Sequence, residues 1–296
     1  MSETPAATAA AGAYMFELRR TLRGCAATHA LADGALTPIP GGLSNLAWRL
    51  DAGDRTWFVR RGHADAARLG VDRRSECKML HAVSAAGLAP DVLVCEPSAG
   101  LLVTRFIEGA PWQAADVALE ANLRRVAESL RRLHELPIPA GIRVVDYARQ
   151  ARHLVAGLSP PTGAAAILRS RATAAFARIG ARGFASTLCH NDLHHLNLLD
   201  DGARLWLVDW EYGGRGNPLL DVAGFLALHE FGPRPTAVFL EAYGRLQPAD
   251  LASLDDARWV FDYVQWLWYL SRFPDPAGEG GWYAGRLAQR LLRCNN

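Results

Sequence analysis

The stretch Leu188-Cys-His-Asn-Asp-Leu-His-His-Leu-Asn-Leu-Leu199, followed by Leu205-Trp-Leu-Val-Asp-Trp-Glu211, decides the fold. Residues 196–199 and 204–209 read as two short apolar strands, and Asp200-Asp201-Gly202 between them has the composition of a tight hairpin turn. A hairpin brings its ends together. Asn197 at the start of one strand and Asp209 at the end of the other are therefore expected side by side, with Asp192 five residues ahead of Asn197 in the entering loop. Two oxygen ligands facing one point, with a carboxylate beside them, suit a magnesium ion and a hydroxyl group awaiting deprotonation. Taken singly, Asp192 reads equally well as a loop or cap residue; the combination carries the weight. His190 and His194 stand four apart, but no third ligand with metal spacing accompanies them. His190 is read instead as a buried hydrogen-bonding residue that shapes the loop.

Outward from this stretch, the 296 residues are 50% hydrophobic and 21% charged, enough apolar material for a large core in two lobes or two small domains. A formal net charge of +2 is too mild to argue for nucleic acid or an acidic membrane surface. No stretch reaches the roughly 18 uncharged apolar residues that span a bilayer, so no membrane partner is expected. The five cysteines are widely spaced and odd in number, which argues against a disulfide framework or a structural zinc site and points to a reducing cytoplasm. Residues 1–13, rich in Ala and Thr, are expected as a disordered leader.

The periodicity predicts a helix over 14–29, strands over 36–39, 45–50 and 56–60, a helix over 72–86 that stops at Gly87, and strands over 92–95 and 101–107. That is a small antiparallel sheet interrupted by one helix. Beyond Gly109-Ala-Pro111 the pattern turns helical, with Leu119, Leu123, Val126, Leu130 and Leu133 as an apolar stripe and Arg124, Arg125, Arg131 and Arg132 as a solvated face. One helix is read between 160 and 185. The expected division is a lobe over residues 14–107 and a larger one over 108–296.

His190-Asn-Asp192 with Asn197 and Asp209 resembles the catalytic loop and metal-binding aspartate of the protein-kinase-like fold, whose eukaryotic version reads H-R-D-x-x-x-x-N and D-F-G. The present form looks like the aminoglycoside phosphotransferase and choline kinase branch. There, as here, Asn191 replaces the kinase arginine, Asp209-Trp210-Glu211-Tyr212 replaces D-F-G, and a short stretch leads directly to Gly216-Asn-Pro-Leu-Leu-Asp221. No room remains for an activation loop, so a small-molecule acceptor is expected rather than a protein. The fold class implied is α+β: a small N-terminal antiparallel sheet lobe with one key helix, and a larger, mainly helical C-terminal lobe.

The resemblance assigns further residues. Gly41-Gly-Leu-Ser-Asn45 is similar to the turn in choline kinases whose backbone approaches the ATP phosphates, which nominates Gly42, Ser44 and Asn45. Arg60, on the third strand, takes the place of the phosphate-gripping lysine of other kinases and is expected to pair with Glu76; Arg61 competes, but strand alternation lets only one of the two face the nucleotide. Backbone from Arg105 to Ile107 is placed to bind adenine. Asp192 becomes the base, Asn197 and Asp209 the Mg2+ ligands, and Glu211 an aid at the metal and acceptor side. Asp221 is expected to brace the loop.

For the acceptor, Trp259, Tyr263, Trp266, Trp268, Trp282 and Tyr283 make the C-terminal region aromatic, and such faces attract cationic ammonium groups. Core packing explains the same spacing. Choline kinases show W-x-x-W on this helix; Trp268 fits the second place, Gln265 stands at the first with Trp266 beside it, and Tyr283 fits a later aromatic position. ATP-dependent phosphorylation of a choline- or ethanolamine-like cationic alcohol is the leading expectation. Thiamine kinase or aminoglycoside-type activity is the alternative, and a non-catalytic nucleotide-binding protein a third. Oligomeric state is not legible.

Overall fold

The computed structural model describes residues 5–40, 45–62, 70–158, 163–181, 183–273, 275 and 277–293, with backbone alone for 5–13 and 45. The chain divides into two compact units, residues 1–110 and 111–296. The first begins with helix α1 (Pro5–Gly24), so residues 5–13, expected as a structureless leader, are helical in backbone. A run of Ala after Pro5 is a strong helix former and extends the amphipathic segment that follows.

Strands β1 (Ala35–Ile39), β2 (Asn45–Ala52) and β3 (Arg55–Gly62), helix α2 (Arg73–Ala85), and strands β4 (Val92–Glu96) and β5 (Leu101–Arg105) complete the unit. The strands form one antiparallel sheet in the order β1-β2-β3-β5-β4. The β2–β3 hairpin closes over two residues because Gly53 takes the left-handed φ of +65°. Leu18 and Leu22 of α1 pack on one sheet face with Trp48, Leu50, Val59, Leu101 and Val103. Each such leucine contributes roughly 1.5–3 kcal/mol by leaving water. Alternation then sends Arg60 to the opposite face, where α2 lies, and Arg61 back toward α1, 3.7 Å from Glu17. Helix α2 is capped by Asp72, whose carboxylate accepts the N–H groups of Arg74 and Ser75, and it stops before Gly87 at φ +67°.

Cys77 of α2 and Cys95 of β4 form a disulfide, with Cα atoms 5.6 Å apart. This corrects the expectation of thiols alone. Spacing along the chain did not reveal it, because the two residues meet through the packing of α2 on β4.

The two-residue strand β6 (Ala110–Pro111) marks the division. The second unit holds helices α3 (Ala114–Val117), α4 (Glu120–Glu135), α5 (Tyr147–Ala156), α6 (Ala164–Gly180), α7 (Pro218–Leu228), α8 (Pro233–Tyr243), α9 (Pro248–Leu251), α10 (Leu254–Arg272) and α11 (Glu279–Arg293). Between α6 and α7 run the short strands β7 (Thr187–Cys189), β8 (Leu198–Asp200), β9 (Leu205–Leu207) and β10 (Gly214–Gly216). Leu123, Val126, Leu130 and Leu133 of α4 are buried as the stripe predicted, but Leu119 is the helix N-cap and is 57% exposed. Arg125 leaves the solvated face: its guanidinium holds Asp200 in a two-bond fork of 2.5 and 3.0 Å and covers the Trp112 ring. That fork ties the β8–β9 hairpin to α4. No helix among the described residues is long and apolar enough to cross a membrane.

Candidate active site

Strands β8 and β9 pair antiparallel, Leu198 opposite Leu207 and Asp200 opposite Leu205. The Val208 N–H donates to the Asn197 carbonyl at 3.0 Å, so the ladder continues one step past both strands and sets Asn197 beside the residue preceding Asp209. The hairpin itself is as predicted. Asn197 donates Nδ2 to the Asp192 carbonyl at 2.8 Å, which leaves its Oδ1 as the oxygen suited to a hard cation and fastens the loop to the hairpin.

The loop itself is held from below. Asp221, in the first turn of α7, accepts the backbone N–H of His190 at 2.8 Å and of Asn191 at 2.7 Å. His134 of α4 approaches the same carboxylate at 3.0 Å and meets the Tyr243 hydroxyl at 2.6 Å. Burial raises the Asp221 pKa, but the His134 hydrogen bond and charge, with the neighbouring donors, outweigh it and hold the group below its ordinary value. Asp221 is thus a brace, and the chain puts it there by capping: Asn217 accepts the Leu219 N–H and Pro218 starts the helix. His134, Cys189 and Asp221 lie close enough to suggest a metal site. His134 and Asp221 are already committed to this network, the Cys189 thiol meets Thr187 two residues away instead, and burial pushes that thiol well above its ordinary pKa.

His190 is fully buried, with Nε2 3.0 Å from the Val208 carbonyl and its ring against Trp210. A carbonyl only accepts, so Nε2 carries the proton and Nδ1 faces the Asp192 N–H at 3.4 Å. Burial lowers its pKa to about 4, keeping the ring neutral. Among non-glycine residues with described backbone, only Asn191, Asp209 and Glu230 have positive φ, and the first two flank the site at +65° and +61°. Asn and Asp tolerate the left-handed region better than other side chains. Asn191 adds Nδ2 donation to the Tyr212 carbonyl at 3.1 Å, which joins the loop to the turn after Asp209.

Asp192 sits in this frame with its side chain 21% exposed. Burial, then the charge of Glu211, raises its pKa to about 7. His194 Nε2 is 3.9 Å from its Oδ2, but burial lowers that imidazole to about 4, so the pair is not an ion pair near neutrality. Glu211 is 3% exposed in the 3-10 turn that follows Asp209. β10 then pairs with β7, Gly214 opposite Cys189, so the chain returns at once to the strand that enters the loop. An inserted activation segment would break that pairing. Asn197, Asp209 and Glu211 offer oxygen donors alone, the ligand type that magnesium takes.

In the first unit, Arg60 donates to Glu76 at 2.6 Å, and Arg73 to the other carboxylate oxygen at 2.7 Å, with Glu76 1% exposed. The expected pair is present, with Arg73 as a second partner unread in the sequence. Its i,i+3 spacing to Glu76 was the available signal. The Arg105 N–H is committed to the Asp91 carbonyl at 2.8 Å and the Ile107 carbonyl to the Gly109 N–H at 2.9 Å. Gly42 and Ser44 lie outside the described residues, and Asn45 is seen in β2 as backbone alone.

The aromatic residues separate into two groups. Trp266 packs on Tyr263, which stacks on Trp259, and all three are buried. Trp268 lies two residues further, about 200° around the helix. It meets Tyr269 and Phe273, and Tyr283 stacks on Tyr269 with centroids 5.6 Å apart. Trp266 is therefore packed with the core residues Tyr263 and Trp259, apart from the cluster of Trp268 and Tyr283. Sequence reading missed Tyr269 and Tyr212. After burial, the charges of Glu211 and Asp192 raise the Tyr212 pKa; after burial and Tyr283, that of Asp192 raises Tyr269, so both rings lie within reach of the carboxylates. Tyr212 shares the turn of Glu211, and Tyr269 adjoins Trp268; those adjacencies were the signal.

Residues 35–256 match the model of the phosphotransferase enzyme family. The chain belongs to that family. The chain is 28% identical over 163 residues to Protein LicA of Haemophilus influenzae, 53% of this chain and 61% of that protein, so the match spans less than two thirds of the relative. In structure it resembles a choline/ethanolamine kinase family protein from Mesorhizobium loti, with a TM-score of 0.76, 24% identity and 94% of each chain covered. Choline kinase LicA from Streptococcus pneumoniae gives 0.74 at 18% identity, covering 88% and 92%. A spectinomycin phosphotransferase in complex with ADP and spectinomycin gives 0.57 at 17%, covering 87% and 92%. The chain thus has the protein-kinase-like α+β fold, with a sheet in its first unit and mainly helices in its second.

Proposed function

We propose that this phosphotransferase moves the γ-phosphoryl group of ATP to the hydroxyl of a small cationic alcohol of the choline or ethanolamine kind. The observation that carries the reading is the grouping of Asp192, Asn197, Asp209 and Glu211 on one braced loop and hairpin, with Tyr269 and Tyr212 within reach of the Asp192 charge and Trp268 against Tyr269. Asp192 orients the acceptor hydroxyl and takes its proton; a base with a pKa near the working pH both accepts and holds a proton effectively. Asn197 and Asp209, aided by Glu211, would hold Mg2+, which when bound neutralises charge on the transferring phosphates. Arg60, oriented by Glu76, neutralises phosphate charge; the turn at Gly42, Ser44 and Asn45 is assigned to the phosphates, and backbone between Arg105 and Ile107 other than the committed Arg105 N–H and Ile107 carbonyl to adenine. Catalysis then rests on positioning and electrostatics.

Clustered carboxylates beside aromatic faces favour a cation over a neutral acceptor, since each face attracts an ammonium group by roughly 0.5–2 kcal/mol. The related structures include a spectinomycin phosphotransferase, so an aminoglycoside-type or thiamine-type acceptor is the competing reading. ADP release from Mg·ATP, measured across choline, ethanolamine, thiamine and several aminoglycosides, tests both. The proposal expects turnover with a small cationic alcohol, abolished by Asp192→Ala with ATP binding retained. Turnover in that variant, or with aminoglycosides alone, overturns it.

A further inference from the structure

Helix α2 carries two fastenings in adjacent positions. Glu76 is clamped by Arg60 and Arg73, and Cys77, the next residue, is bonded to Cys95. The remainder of its grip is apolar packing by Met79, Leu80 and Val83. β4, which holds Cys95, is the outermost strand of the sheet, and Cys95 is partly exposed there while Cys77 is buried. A sulfur on a sheet edge is open to an attacking thiolate; one beneath a helix is not. The bond closes a loop of 18 residues and so restricts how far α2 can move from β4.

We propose that Cys77 and Cys95 form a thiol–disulfide exchange site, addressed by protein dithiols, whose oxidised state fixes α2 so that Glu76 holds Arg60 for the nucleotide phosphates. The functional half rests on the proposed kinase reading. In the exchange, a thiolate of the dithiol attacks Cys95 Sγ, the Cys77–Cys95 bond breaks, and Cys77 leaves as a thiolate that takes a proton. The second thiol of the dithiol then attacks the mixed disulfide, releasing Cys95 as a thiol. Two electrons and two protons pass to the cysteines, and the dithiol becomes a disulfide. The apolar packing of α2 and its ion pairs remain, so opening loosens the helix without unfolding the unit. A loosened α2 spends less time with Glu76 in register with Arg60, and nucleotide affinity falls.

The experiment uses the full chain, oxidised with glutathione disulfide and then reduced with dithiothreitol or a thioredoxin-class dithiol protein. Peptide mapping under non-reducing conditions follows the bond, amide exchange follows residues 73–85, and calorimetry follows Mg·ATP binding without acceptor. The expected result is a Cys77–Cys95 linkage lost on reduction, faster exchange in α2, and nucleotide binding weakened on the order of fivefold or more. Cys77→Ser should match the reduced protein and no longer respond to dithiothreitol. Free thiols at both positions after oxidation, equal affinity in the two states, or a Cys77→Ser protein that still responds would overturn the proposal. Redox-dependent exchange in α2 with no nucleotide binding in either state would instead sink the kinase reading.

Discussion

Asp192→Asn replaces a carboxylate with an amide of nearly the same shape, and in the absence of metal and nucleotide it is expected to stabilise the fold above pH 7 while leaving it unchanged near pH 4. The carboxyl pKa is raised from 3.8 to about 7, first by burial and then by Glu211. Between those values the folded chain holds a proton that the unfolded chain has released, so stability falls as pH rises through the window and is level above it. The full difference corresponds to roughly 4 kcal/mol. With 21% of the side chain still exposed to water, a realised penalty of about 1–2 kcal/mol is expected. For a unit of this size that is a rise in Tm of roughly 2–8 °C. Calorimetry of both proteins with EDTA from pH 4.5 to 8.5 measures it. A Tm difference independent of pH, or a loss of stability at pH 8, refutes the reasoning that the loop holds this carboxylate at a cost to the fold.

Glu76→Ala leaves the buried Arg60 and the partly exposed Arg73 without their shared carboxylate and is expected to destabilise the first unit by about 3–5 kcal/mol in denaturant titration; a change under about 1 kcal/mol would show that the clamp is dispensable. Trp268→Ala should raise acceptor KM by roughly 2- to 30-fold with Tm little changed. Trp266→Ala, by contrast, should cost about 3–5 kcal/mol of stability while the folded fraction keeps its KM. The reverse pattern would place the acceptor on the Tyr263 side of α10.

Local chemistry made part of the site readable. The turn Asp200-Asp201-Gly202 and its apolar flanks favour a hairpin, and the structure has that hairpin, with Asn197 bonded to Val208, the residue before Asp209. The cap at Asn217-Pro218 starts α7 and thereby delivers Asp221 to the loop, a consequence of rules that act within a few residues. Other features resisted because the same pattern serves two ends. Spacing of three and four residues suits a core face and a binding face alike, so Trp266 and Trp268 were grouped until the helix turned them apart. Arg125 reads as a solvated charge on α4 until Asp200, 75 residues away, takes its guanidinium.

By itself the sequence determined the elements and their chemistry: which residues form the hairpin, which helices begin and end where caps and glycines dictate, and which oxygen-bearing side chains sit on the loop before it. These depend on interactions between near neighbours along the chain. Tertiary structure alone decided the rest. It joined Cys77 to Cys95, set Arg125 on Asp200, divided Trp266 and Trp268 between two aromatic clusters, and raised the Asp192 pKa to about 7. Each of these depends on burial or on contact between distant segments, and neither is written in local spacing.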